Sequence, residues 1–269
     1  MNVRKALTYV QEHGDALTRA RAEALVEGQA PPAEIVDHLE GLQGADGGWP
    51  AGLEGGQPES SGGTCEVLFI LQDLGLERHP LAQRGLAFLL AQQQEDGGWL
   101  GGQSKGRLQP TWVTQDEEAG RIYMTALVTS LLVAYGRARE PAAGQALDFL
   151  LRHQLEDGLF PGVALHGAWY ALPALASHLG QRSGPVQNVV NTLTQELGHT
   201  GWVPSMYAAM LRNLLLAGYG MESILVRTAW EQLLMRQGED GAWASEEGEQ
   251  GAVASTLEVL WCWKRITRS

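Results

Sequence analysis

The chain has 269 residues, an apolar content of 44% and a formal net charge of −12. This apolar content is ordinary for a globular protein, whereas the negative charge and the lack of a Lys/Arg-rich run argue against nucleic acid as a partner. A signal core, a membrane span and a disulfide framework are also not predicted, so we expect a cytoplasmic protein in a reducing compartment.

The predicted elements are helices that come in pairs along the chain. Residues 6–10 and 17–26 form the first pair, separated by Gly14. After them, helices with one apolar face alternate with helices that are apolar nearly all round, and Pro80, Pro141 and Pro185 open three of the former. The more apolar helices are predicted at residues 64–74, 119–135, 166–179, 205–217 and 254–266.

A short phrase, Gln-x-x-x-Gly-x-aromatic, recurs between the two helices of a pair. Four good copies, which match the full pattern, begin at Gln43, Gln93, Gln154 and Gln237, and a degenerate copy covers residues 195–202. In the good copies an aspartate precedes the glycine; we expect it to bond its own backbone and the glycine to adopt a left-handed conformation. The glutamine amide is predicted to bond the backbone that begins the next buried helix.

The alternation predicts the fold class, all-α. Helices with one apolar face form an outer ring, and helices that are apolar all round form an inner ring. Repetition at roughly 40 to 60 residues indicates stacked units, none of which buries its apolar face alone. About six hairpins that close into a double ring give an α/α toroid, predicted as a single domain over residues 1–269.

The phrase and the alternation resemble those of the terpenoid cyclase and protein prenyltransferase β-subunit superfamily. The similarity is to squalene-hopene-cyclase-like toroids with Gln/Trp repeats, in a single-domain bacterial form, and it covers essentially the whole chain. It implies a central cavity that binds a long isoprenoid.

The resemblance also indicates where an acid is expected. Class II cyclases of the family protonate their substrate with Asp-x-Asp-Asp, followed by Thr-Ala. Here Thr125-Ala126 is retained, but Tyr123 stands where the acid is expected, and a phenol with a pKa near 10 cannot replace it. The run Asp116, Glu117 and Glu118 is the predicted catalytic group, since crowding raises a carboxyl pKa. The alternative is a solvated loop that places negative charge at a helix N-terminus.

The metal motifs of the superfamily are absent. Neither Cys65 nor Cys262 has an aspartate two residues before it, and Ser255-Thr256 stands where the zinc-binding branch has His-Thr. The magnesium motif Asp-Asp-x-x-Asp is also missing. We therefore predict a metal-independent protein without a cofactor, in which both cysteines are packed as small apolar residues.

Aromatic side chains on the buried helices are the predicted ligand contacts, because electron-rich ring faces stabilise cations. The alternative is that they belong to the core. Glu66 and Glu258 share the pattern Thr-x-Glu-x-Leu, and residues 255–258 are predicted to form a capping box. The predicted substrate-binding residues are Trp112, Tyr123, His166, Trp169, Tyr170, Tyr207 and Trp261.

The predicted function is that of an isoprenoid-binding protein of terpene-cyclase-like type, and both cyclisation and binding without catalysis stay open. One alternative is a non-catalytic toroid whose rim binds a protein partner. The observation that supports this alternative is the acidic loop at residues 245–249. Another is a carbohydrate-active toroid with paired carboxylates. Peripheral contact with a membrane surface also stays open, because isoprenoids reside in lipid.

Overall fold

The computed structural model describes residues 1–100, 117–197 and 201–268, and these residues are mainly helical. A short antiparallel pair, β1 (Trp49–Pro50) and β2 (Glu59–Ser60), places Trp49 opposite Ser60. The helices of the described ranges are α1 (Val3–His13), α2 (Ala16–Val26), α3 (Ala33–Gly41), α4 (Ser61–Asp73), α5 (Pro80–Ala91), α6 (Glu117–Ala134), α7 (Pro141–His153), α8 (Ala164–Leu179), α9 (Gly184–Glu196), α10 (Pro204–Leu216), α11 (Ile224–Met235) and α12 (Ala252–Arg268).

The five helices predicted to be buried correspond to α4, α6, α8, α10 and α12, with ends that differ by a few residues. Pro80 and Pro141 occupy the first turns of α5 and α7, and Pro185 is the second residue of α9. Cys65 and Cys262 are wholly buried, which confirms that they pack as apolar residues. Helical periodicity and first-turn prolines were therefore sufficient to place these elements.

The chain divides into two compact units. The first unit consists of Met1–Val36, Asp73–Gly75 and Leu193–Ser269, and the second of Asp37–Gln72 and Leu76–Thr192. In the first unit α12 packs against α1, α2 and α10, and α11 packs against α10. In the second unit α6 packs against α7 and α8. The prediction of one domain over residues 1–269 stays a prediction.

The glutamine of each repeated phrase bonds its own turn and the start of the next half-exposed helix. In the second unit, Gln93 Nε2 donates to Gly97 O at 2.9 Å and to Ala142 O, near the start of α7, at 2.8 Å. The prediction that the amide bonds the next buried helix is wrong, because the side chain lies between its own turn and the following half-exposed helix. The equivalent acceptors are Leu81 O for Gln43, Pro185 O for Gln154 and Asn2 O for Gln237.

The aromatic residue of the phrase makes the connection to the buried helix. The Trp99 indole Nε1 donates to Leu89 O of α5 at 2.6 Å, and its backbone N–H donates to Thr125 Oγ1 of α6 at 3.0 Å. Trp49, Trp99 and Trp243 are all wholly buried. Trp49 donates in the same way to Leu39 O and Thr64 Oγ1, and Trp243 to Leu233 O and Thr256 Oγ1.

The turn within the phrase has the predicted geometry. Asp96 Oδ1 accepts a hydrogen bond from Gly98 N at 3.1 Å. Gly97 has φ +91, and a Cβ at this position would lie 2.3 Å from Gln145 O. Both the left-handed backbone and the close approach therefore require glycine at this position.

Replacing Thr125 with valine is expected to lower the free energy of unfolding by about 1–3 kcal/mol, because the buried Trp99 N–H loses its acceptor. Urea denaturation followed by circular dichroism measures the change. Thr125→Ser keeps the hydroxyl and loses one buried methyl group, about 0.8 kcal/mol. A greater loss with serine than with valine would assign the role of Thr125 to its methyl group.

Candidate functional site

Four predicted ligand contacts lie on α6 and α8 of the second unit. The rings of Tyr123 and Tyr170 meet edge to face, with centroids 5.6 Å apart, and the rings of His166 and Trp169 are 4.5 Å apart. Trp169 is wholly buried and Tyr123 is 2% exposed, whereas Tyr170 and His166 are half-buried. Tyr170 and His166 are therefore the members of this group that a ligand can reach, and the other two support them.

The two predicted contacts in the first unit are packed against arginines. Tyr207 of α10 has Arg236 Cζ 5.0 Å from its ring centroid. Trp261 of α12 has Arg212 Cζ at 4.3 Å and Arg265 Cζ at 5.3 Å. Tyr207 is 2% exposed and Trp261 is 4% exposed. The electron-rich faces of these two rings are therefore already in contact with arginine side chains of the protein itself.

The predicted acidic group begins α6. Glu117 and Glu118 are exposed in the first turn of this helix, and Glu118 Oε1 lies 3.5 Å from His153 Nε2. Negative charge at a helix N-terminus interacts favourably with the helix dipole, as the alternative interpretation of this run expects. Asp116 and Trp112 lie outside the described residues, and the catalytic assignment of the run stays a prediction.

A buried cluster of charges in the first unit was not predicted. Arg21 of α2 donates from Nε and Nη2 to Asp73 Oδ2, at 3.0 and 2.7 Å. Arg212 of α10 donates from Nη1 to Glu258 Oε2 of α12 at 3.0 Å, and its Nη2 lies 3.6 Å from Asp73 Oδ1. Arg212 is 3% exposed and Asp73 is 1% exposed. Two carboxyl groups therefore share one buried guanidinium.

The surroundings of this cluster change its acid–base properties. Burial raises the pKa of Glu258, the negative charge of Asp73 adds to this effect, and Arg212 opposes it without cancelling it. Burial likewise raises the pKa of the Cys262 thiol, whose Sγ lies 3.6 Å from Ala208 O. Cys262 is therefore expected to stay protonated, and Glu258 holds a proton to a higher pH than an ordinary glutamate.

The capping box predicted at residues 255–258 is wrong. Helix α12 begins at Ala252, so Ser255 lies inside the helix, where its Oγ donates to Ala244 O. Glu258 instead contacts Arg212. The sequence contains one signal of this cluster, an arginine in the apolar stretch of residues 210–216. The partners of this arginine are too distant along the chain for a local sequence pattern to reveal them.

Three further observations concern the described ranges. An open groove of ≈ 780 Å³ lies in the first unit and is lined by Tyr9, His13, Arg236 and Trp243 among others, but by none of the predicted site residues. Residues 1–100, 117–197 and 201–268 contain no group of three or more His, Cys, Asp or Glu that could hold a metal ion. In the same ranges, no helix combines the length with the apolar character that a membrane span requires.

Solved structures resemble this chain over nearly its whole length. A protein from Actinoplanes is 18% identical, with a TM-score of 0.62 and 98% of each chain covered. The type II terpene cyclase MstE from Scytonema is 16% identical, with a TM-score of 0.64 over 99% of this chain and 97% of MstE. A variant of MstE has been solved in complex with its substrate, geranylgeranyl dihydroxybenzoate.

A larger enzyme resembles the chain over part of its own length. The ent-copalyl diphosphate synthase from Streptomyces platensis is 17% identical, with a TM-score of 0.55, and the match covers 94% of this chain and 50% of the synthase. No curated protein matches the chain.

These likenesses confirm the predicted fold class, an all-α α/α toroid of the terpenoid cyclase type. The family model of the squalene-hopene cyclase C-terminal domain matches residues 31–171, which is more than half of the 269 residues. This chain therefore belongs to the family of squalene-hopene cyclase C-terminal domains.

Proposed function

We propose that this protein binds an isoprenoid or a prenylated small molecule. The observation that carries the proposal is the likeness to MstE over 99% of this chain and 97% of MstE. MstE accepts a substrate with a geranylgeranyl chain.

Tyr170 and His166 of α8 are the proposed contacts with the prenyl chain. Tyr170 is held by the edge of Tyr123 at 5.6 Å, and His166 packs against the wholly buried Trp169. Packing of this kind keeps the rings in place before the ligand arrives, which reduces the entropy lost on binding. Their faces would contact the methyl groups and double bonds of the ligand.

Replacing Tyr170 with alanine is expected to weaken the binding of geranylgeranyl dihydroxybenzoate about 2- to 13-fold, since one aromatic contact contributes about 0.5–1.5 kcal/mol. Tyr170→Phe keeps the ring and should bind almost as the wild type does. Isothermal titration calorimetry measures both affinities. Equal binding by the alanine variant would remove Tyr170 from the site.

The proposal itself is tested by the wild-type protein. We expect saturable binding of geranylgeranyl dihydroxybenzoate and none of dihydroxybenzoate without the prenyl chain. Failure to bind this compound, squalene, oxidosqualene and C15 to C35 prenyl alcohols would contradict the proposal. A protein partner recovered by pull-down in that case would favour the alternative of a non-catalytic scaffold.

A further inference from the structure

The open groove of the first unit is not part of the proposed isoprenoid site, because none of the proposed prenyl contacts lines it. We propose that this groove binds an arginine-containing basic segment of a protein partner. This groove, the Tyr9 groove, is lined by Tyr9, His13, Asp240, Trp243 and Glu249 among others. The inference does not depend on the proposed function, so either can fail without the other.

The base of the Tyr9 groove is apolar and one of its sides is aromatic. Ala242 and Ala252, which are 7% and 8% exposed, line it together with the wholly buried Trp243. The rings of Tyr9 and His13, both on α1, stack with their centroids 4.3 Å apart. Apolar groups suit the methylene stem of a long basic side chain, and an aromatic side attracts the charged end of that side chain.

Carboxylates give the groove a negative charge beside Tyr9. Asp240 and Glu249 both line it. Burial raises the pKa of the Tyr9 phenol, and the charges of the two carboxylates raise it further, so both act on the same part of the groove. Arg236 also lines the groove, but its Nη1 donates to Trp202 O. The ligand that complements the two carboxylates is a cation.

The acidic loop at residues 245–249, which carries one of these carboxylates, is held in place by hydrogen bonds. Glu246 N donates to Ser205 Oγ at 3.1 Å, and Glu247 N donates to Ser245 Oγ at 3.2 Å. The three glutamates of the loop are exposed. A loop that is fixed before the ligand arrives loses little entropy when the ligand binds.

Hydrogen bonds also fix α1 against the phrase at Gln237. Lys5 Nζ of α1 donates to Glu239 O at 2.9 Å, and Asn2 N donates to Gln237 Oε1 at 2.7 Å. Gly241 packs so closely on α1 that a Cβ at this position would lie 2.5 Å from Lys5 O. The aromatic side and the base of the groove are therefore connected before a ligand arrives.

The openness of the groove favours a protein segment over a free amine. Water reaches the carboxylates, and an exposed ion pair contributes little to affinity, so a small cation would gain too little to stay bound. A segment adds contacts along a groove of ≈ 780 Å³, which is within the range of ligand sites. Arginine suits the site better than lysine, because a planar guanidinium both pairs with a carboxylate through two hydrogen bonds and stacks on a ring.

The test measures the binding of a short, terminally blocked peptide with two arginines among alanines by isothermal titration calorimetry at about 0.15 M salt. We expect saturable binding to the wild-type chain, weaker binding of the same peptide with lysines, and none of an all-alanine peptide. Glu249→Arg should weaken the affinity about 10-fold or more, because it places a like charge beside the ligand. Tyr9→Leu should weaken it about 2- to 5-fold, because it removes the aromatic contact.

Glu231→Arg is the matched control. Glu231 of α11 is exposed as Glu249 is, it does not line the groove, and its replacement changes the net charge by the same amount. This variant should bind the arginine peptide within about 2-fold of the wild type, since a surface charge outside the groove contributes little. Circular dichroism checks that all variants are folded as the wild type is.

Three outcomes would overturn the inference. The first is a wild-type chain that does not bind the arginine peptide. The second is an equal loss of affinity in Glu231→Arg and Glu249→Arg, which would assign the binding to the net charge of −12 and not to the groove. The third is displacement of the peptide by an equal concentration of spermidine, which would make the groove a site for a small amine. None of the three bears on the binding of isoprenoids.

Discussion

Replacing Trp99 with alanine is expected to lower the free energy of unfolding by about 3–5 kcal/mol. The side chain is wholly buried, so its removal leaves a cavity against α5 and α6. The substitution also removes the hydrogen bond that the indole Nε1 donates to Leu89 O at 2.6 Å. Urea denaturation, fitted with a common m-value, measures the loss.

The neighbouring Leu100 provides the control for this prediction. Its side chain is 49% exposed, so Leu100→Ala should change the free energy of unfolding by no more than about 0.5 kcal/mol. A loss below about 1 kcal/mol for Trp99→Ala would show that α5 and α6 close over the space and that the repeated tryptophan is dispensable.

Replacing Arg212 with methionine should have a comparable effect, about 3–5 kcal/mol. The guanidinium is 3% exposed and lies between Glu258 and Asp73. Methionine keeps most of the volume but leaves two carboxyl groups without their shared cation. Thermal and urea unfolding at neutral pH measure the loss.

The double variant Arg212→Met/Glu258→Gln separates charge from packing. Removing the carboxylate that lost its partner should restore part of the stability, so the two changes should not add. The loss in Arg212→Met should also shrink at low pH. Without Arg212 the folded-state pKa of Glu258 rises further, and a carboxyl with a raised folded-state pKa contributes stability below its unfolded-state pKa and loses it as pH rises. Additive losses at all pH values would contradict the shared-cation arrangement.

The elements that local patterns predicted are those held by local forces. The five buried helices, the first-turn prolines and the turn at Asp96-Gly97 were predicted correctly because helix periodicity and turn chemistry act over a few residues. The hydrogen-bond partner of Gln93 was not predicted correctly, because Ala142 O lies 49 residues further along the chain. Nothing in the phrase itself distinguishes this acceptor from the start of a buried helix.

The candidate site was less predictable for the same reason. The sequence indicated which helices carry Tyr207 and Trp261, but not that Arg236 and Arg212 lie over their rings. The cluster around Arg212 draws on α2, α4, α10 and α12, whose residues come together only in the folded chain. The direction of a side chain on a buried helix depends on such distant neighbours. Helical periodicity in the sequence alone therefore does not predict it.

The bonds between Gln237 and Asn2 have a consequence for the order of folding. Gln237 Nε2 donates to Asn2 O, and Asn2 N donates to Gln237 Oε1. The residue before α1 therefore accepts the glutamine of the phrase at Gln237, as the start of α7 accepts the glutamine of the phrase at Gln93. During synthesis α1 and α2 leave the ribosome long before α10 to α12, their partners in the first unit. The nearly continuous second unit can fold as it emerges, whereas residues 1–36 must wait until residues 193–269 have been made.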